Sequence, residues 1–165
     1  METDSRGASV SIRVTTRQTD SAGQTGQGTS RIQGEMTRED GQVTLRYRED
    51  PGAGMGHCET TVILREDGVQ VLRDGEVRAR QVFLPGKTTR CRYGTPYGEM
   101  DLAVRTDALR WCEEDWGLEL HLEYGLTLNG QETGDTQLQM VVTHCGDNDA
   151  TDSEGRGEEE TGEKR

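Results

Sequence analysis

The sequence has no long hydrophobic run and few hydrophobic residues overall. No segment reaches the roughly 18 consecutive apolar residues of a membrane-spanning helix, and only 30% of the 165 residues are hydrophobic. The first residues, Met1 to Ser5, lack the basic-then-apolar layout of a secretory signal peptide. The length supports one domain with a modest core rather than two domains. We therefore expect a single cytoplasmic domain that does not enter a membrane.

Clustered basic residues are also missing. The formal net charge is −12, from 31 acidic and 19 basic side chains. Phosphate backbones and anionic lipid surfaces attract proteins through grouped lysine and arginine. The charge therefore argues against nucleic acid and membrane surfaces as partners.

The four cysteines form no C-x-x-C motif, and a cytoplasmic chain keeps such thiols reduced. Two His-Cys dipeptides, His57-Cys58 and His144-Cys145, raise the question of a zinc site. Adjacent residues of a strand project to opposite faces, so neither dipeptide can readily turn both side chains to one ion. Phosphate-binding and dinucleotide-binding fingerprints are missing as well. The sequence thus predicts neither a metal site nor a cofactor.

What the chain does have is strict alternation, clearest between Leu118 and Leu128. Six large apolar side chains alternate there with Glu119, His121, Glu123 and smaller or polar residues. A strand places alternate side chains on one face, whereas a helix would scatter them. The segment therefore predicts a half-buried β-strand that enters a hairpin at Asn129-Gly130.

Similar alternation predicts about ten strands. Asp-Gly dipeptides at 40-41, 67-68 and 74-75 are typical of tight turns. The stretch from Asp20 to Gly28 and the charged stretch from Trp111 to Trp116 are predicted as connectors, the second one irregular or briefly helical. Consecutive hairpins with one solvent-facing and one buried face close most naturally into a barrel, because closure removes exposed strand edges. The expected fold class is all-β, a single antiparallel up-and-down β-barrel of 8–10 strands.

The last hairpin poses a question of register. A strict two-residue Asn129-Gly130 loop would set inward-facing Leu122 opposite Gln137, on the wrong face. A three-residue loop through Gln131, or an equivalent bulge near Gly134, instead pairs Leu122 with Leu138. We expect one of these two solutions, because each restores a continuous apolar face.

Three segments lie outside the predicted strands. Residues 1 to 8 form a short lead, and a glycine-rich loop spans Asp50 to Gly56. Residues 146 to 165 hold eight acidic and three basic side chains, and so contribute −5 of the −12 charges. Such a tail is typically solvated and disordered. The expected domain is therefore the barrel over residues 9 to 145, followed by an acidic disordered tail.

Several short motifs in order support a family resemblance. They are Arg73-Asp-Gly75, Arg80-Gln-Val-Phe-Leu-Pro-Gly86, Thr95-Pro-Tyr-Gly98, Met100-Asp-Leu102 and Arg105-Thr106. Together they resemble the bacterial YwiB-like family of small, uncharacterised β-barrel proteins, a family built on a domain of unknown function. The resemblance extends over most of residues 9 to 144. It implies a calycin-like barrel, related in shape to lipocalins and fatty-acid-binding proteins, but no particular activity.

Inward-pointing polar side chains form the candidate ligand-binding site: Arg73, Gln81, Tyr93, Thr95, Tyr47 and Tyr124. In one interpretation, Arg73 and Gln81 hold a carboxylate or another polar head group while the leucine-rich wall holds an apolar body. In the other, Gln81 ties two strands together inside a filled core and Arg73 reaches solvent at the rim.

Three functions remain open at this point. The first is a non-catalytic barrel that binds a small apolar or amphipathic ligand. The second is a protein-interaction module with a filled barrel, whose partner is unknown. The third and least favoured is an enzyme at the barrel mouth, for which Tyr97 or the carboxylates at 113 to 115 are the candidates. A strand bend at Thr95-Pro-Tyr-Gly98 and a solvated connector explain those residues more simply.

Overall fold

The computed structural model describes residues 7–49 and 57–145. The lead up to residue 6, the glycine-rich loop at 50–56 and the acidic tail from 146 lie outside the described residues. The described chain forms ten β-strands and contains no helix. They are β1 (Ala8–Thr19), β2 (Thr25–Glu39), β3 (Gln42–Glu49), β4 (Cys58–Arg65), β5 (Gly68–Gly75), β6 (Ala79–Phe83), β7 (Thr88–Thr95), β8 (Gly98–Glu114), β9 (Gly117–Leu128) and β10 (Gln131–His144).

The strands form one antiparallel sheet that curls into a nearly closed barrel. Strands β1 to β6 pair successively, as do β7 to β10, and the first strand pairs with the last. This arrangement gives the order β6-β5-β4-β3-β2-β1-β10-β9-β8-β7. The prediction of an all-β antiparallel barrel is confirmed.

The barrel closes least completely between β6 and β7, a gap that we call the seam. One backbone bridge crosses the seam, in which Arg78 and Gly94 exchange hydrogen bonds of 3.0 and 2.8 Å. Nearby, the Thr89 hydroxyl donates to the carbonyl of Val82 at 2.5 Å. A side chain thus supplies a cross-strand hydrogen bond where the sheet has no regular ladder.

The core lies inside the barrel, on the face that alternation predicts. On β1 the inward residues Val10 and Ile12 are fully buried, and on β9 the same is true of Leu118. The inner faces of β3 and β4 bury a matching set of side chains: Val43, Leu45, Tyr47, Cys58, Thr60, Val62 and Leu64. Apolar burial on this one face is the main favourable contribution to folding.

The register of the last hairpin is the expected one, and a bulge produces it. Leu122 pairs with Leu138, Leu120 with Met140 and Leu118 with Val142. The turn has two residues, Asn129 and Gly130, both with positive φ, and the register shifts between Glu132 and Gly134. The bulge solution is therefore confirmed, and the three-residue loop is wrong.

The stretch from Trp111 to Trp116 is not a connector. Its first four residues continue β8, which pairs with β9 up to Glu114, and only Asp115 and Trp116 form the turn. A bulge between Thr106 and Ala108 shifts the inward phase from Leu102 and Val104 to Leu109 and Trp111. Because of this change of phase, strict alternation of apolar and polar residues did not predict that the strand continues to Glu114.

The turns depart in smaller ways from their prediction. Asp40 and Gly41 form the expected turn with positive φ at both residues. The next turn is Glu66-Asp67, because Gly68 already pairs in β5. Asp74 and Gly75 still pair with β4, and residues 76–78 then connect β5 to Ala79 in place of a tight Asp-Gly turn. The predicted connector after Asp20 is short, since β2 begins at Thr25.

Gly34 offers a test of packing at the inner face of β2. An added Cβ would lie 2.5 Å from the Arg46 carbonyl oxygen and 3.0 Å from Cδ1 of Ile12. We expect Gly34→Ala to lower the free energy of unfolding in urea by about 1–3 kcal/mol, because overpacking forces the neighbours apart. Gly26→Ala on the same strand is the control: no atom lies within 4 Å of its added Cβ, and a change below about 0.5 kcal/mol is expected. Equal stability of the two variants would contradict this packing.

Candidate ligand-binding site

A cavity of about 390 Å³ lies inside the barrel. Most of its wall is apolar and comes from strands on both sides of the seam. The apolar lining consists of Val14, Ile32, Val62, Val69, Val71, Phe83, Leu102, Leu120, Leu122, Leu126, Leu128, Leu138 and Met140. Two larger depressions, of about 450 and 530 Å³, are lined mainly by polar side chains such as Gln18, Gln24 and Arg46. The cavity is therefore the more suitable site for an apolar ligand.

Five of the six predicted site residues line this cavity: Tyr47, Arg73, Gln81, Tyr93 and Tyr124. Thr95 does not. Its hydroxyl accepts a hydrogen bond from the backbone N–H of Tyr97 at 3.1 Å and donates one to the carbonyl of Gly98 at 3.0 Å. Thr95 therefore stabilises the turn between β7 and β8, as the simpler interpretation of this motif held.

Sheet register brings the polar lining residues together. Tyr47 pairs with Thr60 on β4, and Thr60 pairs with Arg73 on β5. Gln81 on β6 is opposite Val71, two residues before Arg73 on the same face. Arg73 Nη1 donates a hydrogen bond of 2.5 Å to Gln81 Oε1. The sequence placed these two residues on one hairpin, and the structure joins them directly.

Glu49 completes the group and was missed by the sequence analysis. Its Oε2 accepts a hydrogen bond of 2.8 Å from the Thr60 hydroxyl and lies 3.9 Å from Arg73 Nε. The Glu49 and Arg73 side chains are only 10% and 16% exposed. Continuing the alternation through Tyr47 would have found Glu49, since it is the next inward position on β3. We call Glu49, Thr60, Arg73 and Gln81 the polar cluster.

One donor of the polar cluster is left without a hydrogen bond. Among the described residues, Arg73 Nε is buried and has no hydrogen-bond partner. Its distance to Glu49 allows an ion pair but is too long for a hydrogen bond. A buried unpaired donor typically costs roughly 1–3 kcal/mol. Arg73 therefore retains one N–H group whose hydrogen-bonding capacity is unused in the described residues.

Burial also governs the tyrosines. Burial raises the pKa of Tyr47 well above its ordinary value, and the charge of Glu49 raises it further while Arg73 opposes the change. Burial likewise raises the pKa of Tyr124, against smaller opposing effects of Arg73 and a hydrogen bond with Thr136. The Tyr124 ring meets Phe83 edge to face, with centroids 5.0 Å apart. Both tyrosines are therefore neutral hydrogen-bonding groups at physiological pH.

The other candidate residues lie elsewhere. Tyr97 is 98% exposed in the turn between β7 and β8. His121 Nε2 is 2.7 Å from Glu119 Oε2, and both residues are on the outward phase of β9, as predicted for His121. The structure shows no group of three or more His, Cys, Asp or Glu side chains able to hold a metal within residues 7–49 and 57–145. In the same residues, no helix could span a membrane.

Comparison with known proteins identifies the family. A family model described as a domain of unknown function, DUF1934, matches residues 12–140. The chain belongs to this family. The uncharacterised β-barrel protein YwiB of Bacillus subtilis is a relative, 25% identical over 105 residues that cover 64% of this chain and 71% of YwiB. The sequence resemblance to YwiB-like proteins is thus confirmed.

A solved structure agrees with the fold of this DUF1934 member. The crystal structure of the ywiB protein from Bacillus subtilis matches with a TM-score of 0.74 at 21% identity. The match covers 84% of this chain and 92% of that chain. At this identity the likeness concerns the fold, so the function has to be argued from the cavity itself.

The buried tyrosines predict how stability depends on alkaline pH. Their folded pKa values are raised, whereas an unfolded tyrosine loses its proton near its ordinary value of 10.0. Around and above pH 10 the unfolded state therefore binds fewer protons, and the free energy of unfolding should fall as the pH rises, with a limiting slope of about 1.4 kcal/mol per pH unit for a ring that stays protonated in the folded state. Urea titrations between pH 8 and 11 measure this decline.

A variant with both Tyr47→Phe and Tyr124→Phe is the matched comparison. Removing the two hydroxyls removes both ionisations, so its stability should depend less on pH above 10 than that of the unsubstituted protein. Parallel declines in the two proteins would show that these rings are not buried as described.

Proposed function

We propose that the barrel, residues 9 to 145, binds a small ligand with an apolar body and a polar head group inside its cavity. The observation that carries this proposal is the composition of the cavity wall. Thirteen apolar side chains of the described residues surround most of the space, and Glu49, Arg73 and Gln81 lie together on β3, β5 and β6. Binding sites for small molecules typically combine an apolar lining with a few converging polar groups.

The volume is compatible with this function. Ligand sites commonly measure about 300–1,000 Å³, and the cavity of about 390 Å³ lies near the lower limit. Barrels of this size can instead be filled by their own side chains. A calycin-like role and a cytoplasmic location accord with the proposal, and both remain predictions.

The two alternative functions have less support. A protein-interaction module would present a continuous apolar surface or an unpaired strand edge. In the described part of the chain, the β6 and β7 edges face each other at the seam and are bridged there. The large hydrophobic residues exposed within the described part of the chain, Tyr97 and Trp116, lie in the turns at opposite ends of β8. For an enzyme, the raised pKa values of Tyr47 and Tyr124 favour hydrogen bonding over proton abstraction.

Native mass spectrometry of the protein purified from its own species tests the proposal. We expect an added mass that is released on denaturation, because an apolar ligand in an interior site would remain bound during purification. In Val71→Phe, a larger side chain enters the cavity wall, and we expect the bound fraction to fall at least about tenfold. Extraction and fragmentation would then identify the ligand.

Leu72→Phe is the matched control, since Leu72 follows Val71 on β5 and points to the outer face. It should retain the ligand. A clean apo mass for the unsubstituted protein would contradict the proposal, and so would equal retention by Val71→Phe and Leu72→Phe.

A further inference from the structure

The polar cluster carries one negative and one positive charge. Glu49 and Arg73 form an ion pair, and both side chains are largely buried. Among residues 7–49 and 57–145, the other polar side chains around the cavity, including Gln81 and Tyr124, are uncharged. The polar part of the cavity is therefore balanced in charge before any ligand enters.

In contrast to the charges, one hydrogen-bond donor of the polar cluster has no acceptor in the described part of the chain. Thr60 donates to Glu49 Oε2, and Arg73 Nη1 donates to Gln81 Oε1. These bonds occupy acceptors, while Arg73 Nε keeps a buried N–H with no hydrogen-bond partner in the described residues. Arg73 lines the cavity, so its guanidinium group is the donor that an acceptor on the ligand would meet.

We propose that the ligand's head group is an uncharged hydrogen-bond acceptor, such as a hydroxyl, carbonyl or amide, which binds at Arg73. This inference rests on the proposed function. The sequence suggested a carboxylate or another polar head group, and the inference excludes the carboxylate. A carboxylate at Arg73 would bring a second negative charge close to Glu49, and an ammonium group would bring a second positive charge close to Arg73. Repulsion between like charges is strong where water is largely excluded.

The volume and the apolar wall of the cavity define the size and character of the ligand's apolar part. The cavity of about 390 Å³ lies near the lower end of the about 300–1,000 Å³ that is typical of sites for small molecules. A single chain of about ten carbons with a small head group is of this order. Residues such as Val71, Leu122 and Leu138 would surround such a chain.

Three probes with the same ten-carbon chain test the head group: 1-decanol, decanoate and decylammonium. Their binding to the full chain at pH 7 can be measured by protein-observed NMR, from the shifts of the Val71 and Leu138 methyl groups. We expect 1-decanol to bind at least about tenfold more tightly than either charged probe.

Substitutions that unbalance the ion pair should reverse this preference. Glu49→Gln leaves Arg73 as an uncompensated cation, so decanoate should become the tightest of the three probes. Arg73→Met leaves Glu49 as an uncompensated anion and should favour decylammonium instead. Arg92→Met is the control: Arg92 is 72% exposed, pairs with Glu99 and does not line the cavity, so 1-decanol should still bind best.

The outcomes separate the two proposals. Tightest binding of decanoate or decylammonium to the unsubstituted protein would overturn the neutral head group but leave a ligand-binding barrel. Equal binding of all three probes would do the same. Failure of all three to bind would overturn the neutral head group on a ten-carbon chain, whereas native mass spectrometry of the purified protein decides the ligand-binding barrel. If a variant fails to fold, the comparison of probes on the unsubstituted protein decides alone.

Discussion

Pairing of the first strand with the last is the constraint on which the rest of the structure depends. Ten consecutive residue pairs join β1 to β10, from Val10 with His144 to Thr19 with Asp135. Without this ladder, the chain would be two separate meanders, each with two exposed edges. With it, one face of every strand becomes interior, and the alternation of side chains becomes a separation of core from surface.

The seam between β6 and β7 is paired much less completely than β1 and β10 are. Strand β6 has only five residues, and a single backbone bridge links its neighbourhood to β7. Thr89 adds a side-chain hydrogen bond across the seam. Gln81 and Tyr93, on opposite sides of the seam, both line the cavity. The least regular part of the barrel wall is thus next to the polar part of the cavity.

The sequence predicted those features that depend on alternation within a strand. Matching the apolar faces of β9 and β10 was enough to pair Leu122 with Leu138, because a slip of one residue would expose the whole face. It was not enough for β8, where a bulge after Thr106 made Trp111 to Glu114 resemble a connector.

The same alternation placed Tyr47, Arg73 and Gln81 inside, but it did not predict the contact between Arg73 and Glu49. That ion pair joins β3 to β5 across β4, and its geometry depends on barrel curvature rather than on spacing along the chain. The cavity volume was equally inaccessible, because it depends on how all the inner side chains pack.

A crystal structure determined under xenon pressure would show whether the barrel interior holds an apolar cavity beside the buried polar cluster. Xenon enters apolar cavities without needing hydrogen bonds. We expect xenon density between Val71 and Leu138, with Arg73 still held by Glu49 and Gln81. An interior filled by its own side chains, with Arg73 turned out to solvent at the rim, would contradict this expectation.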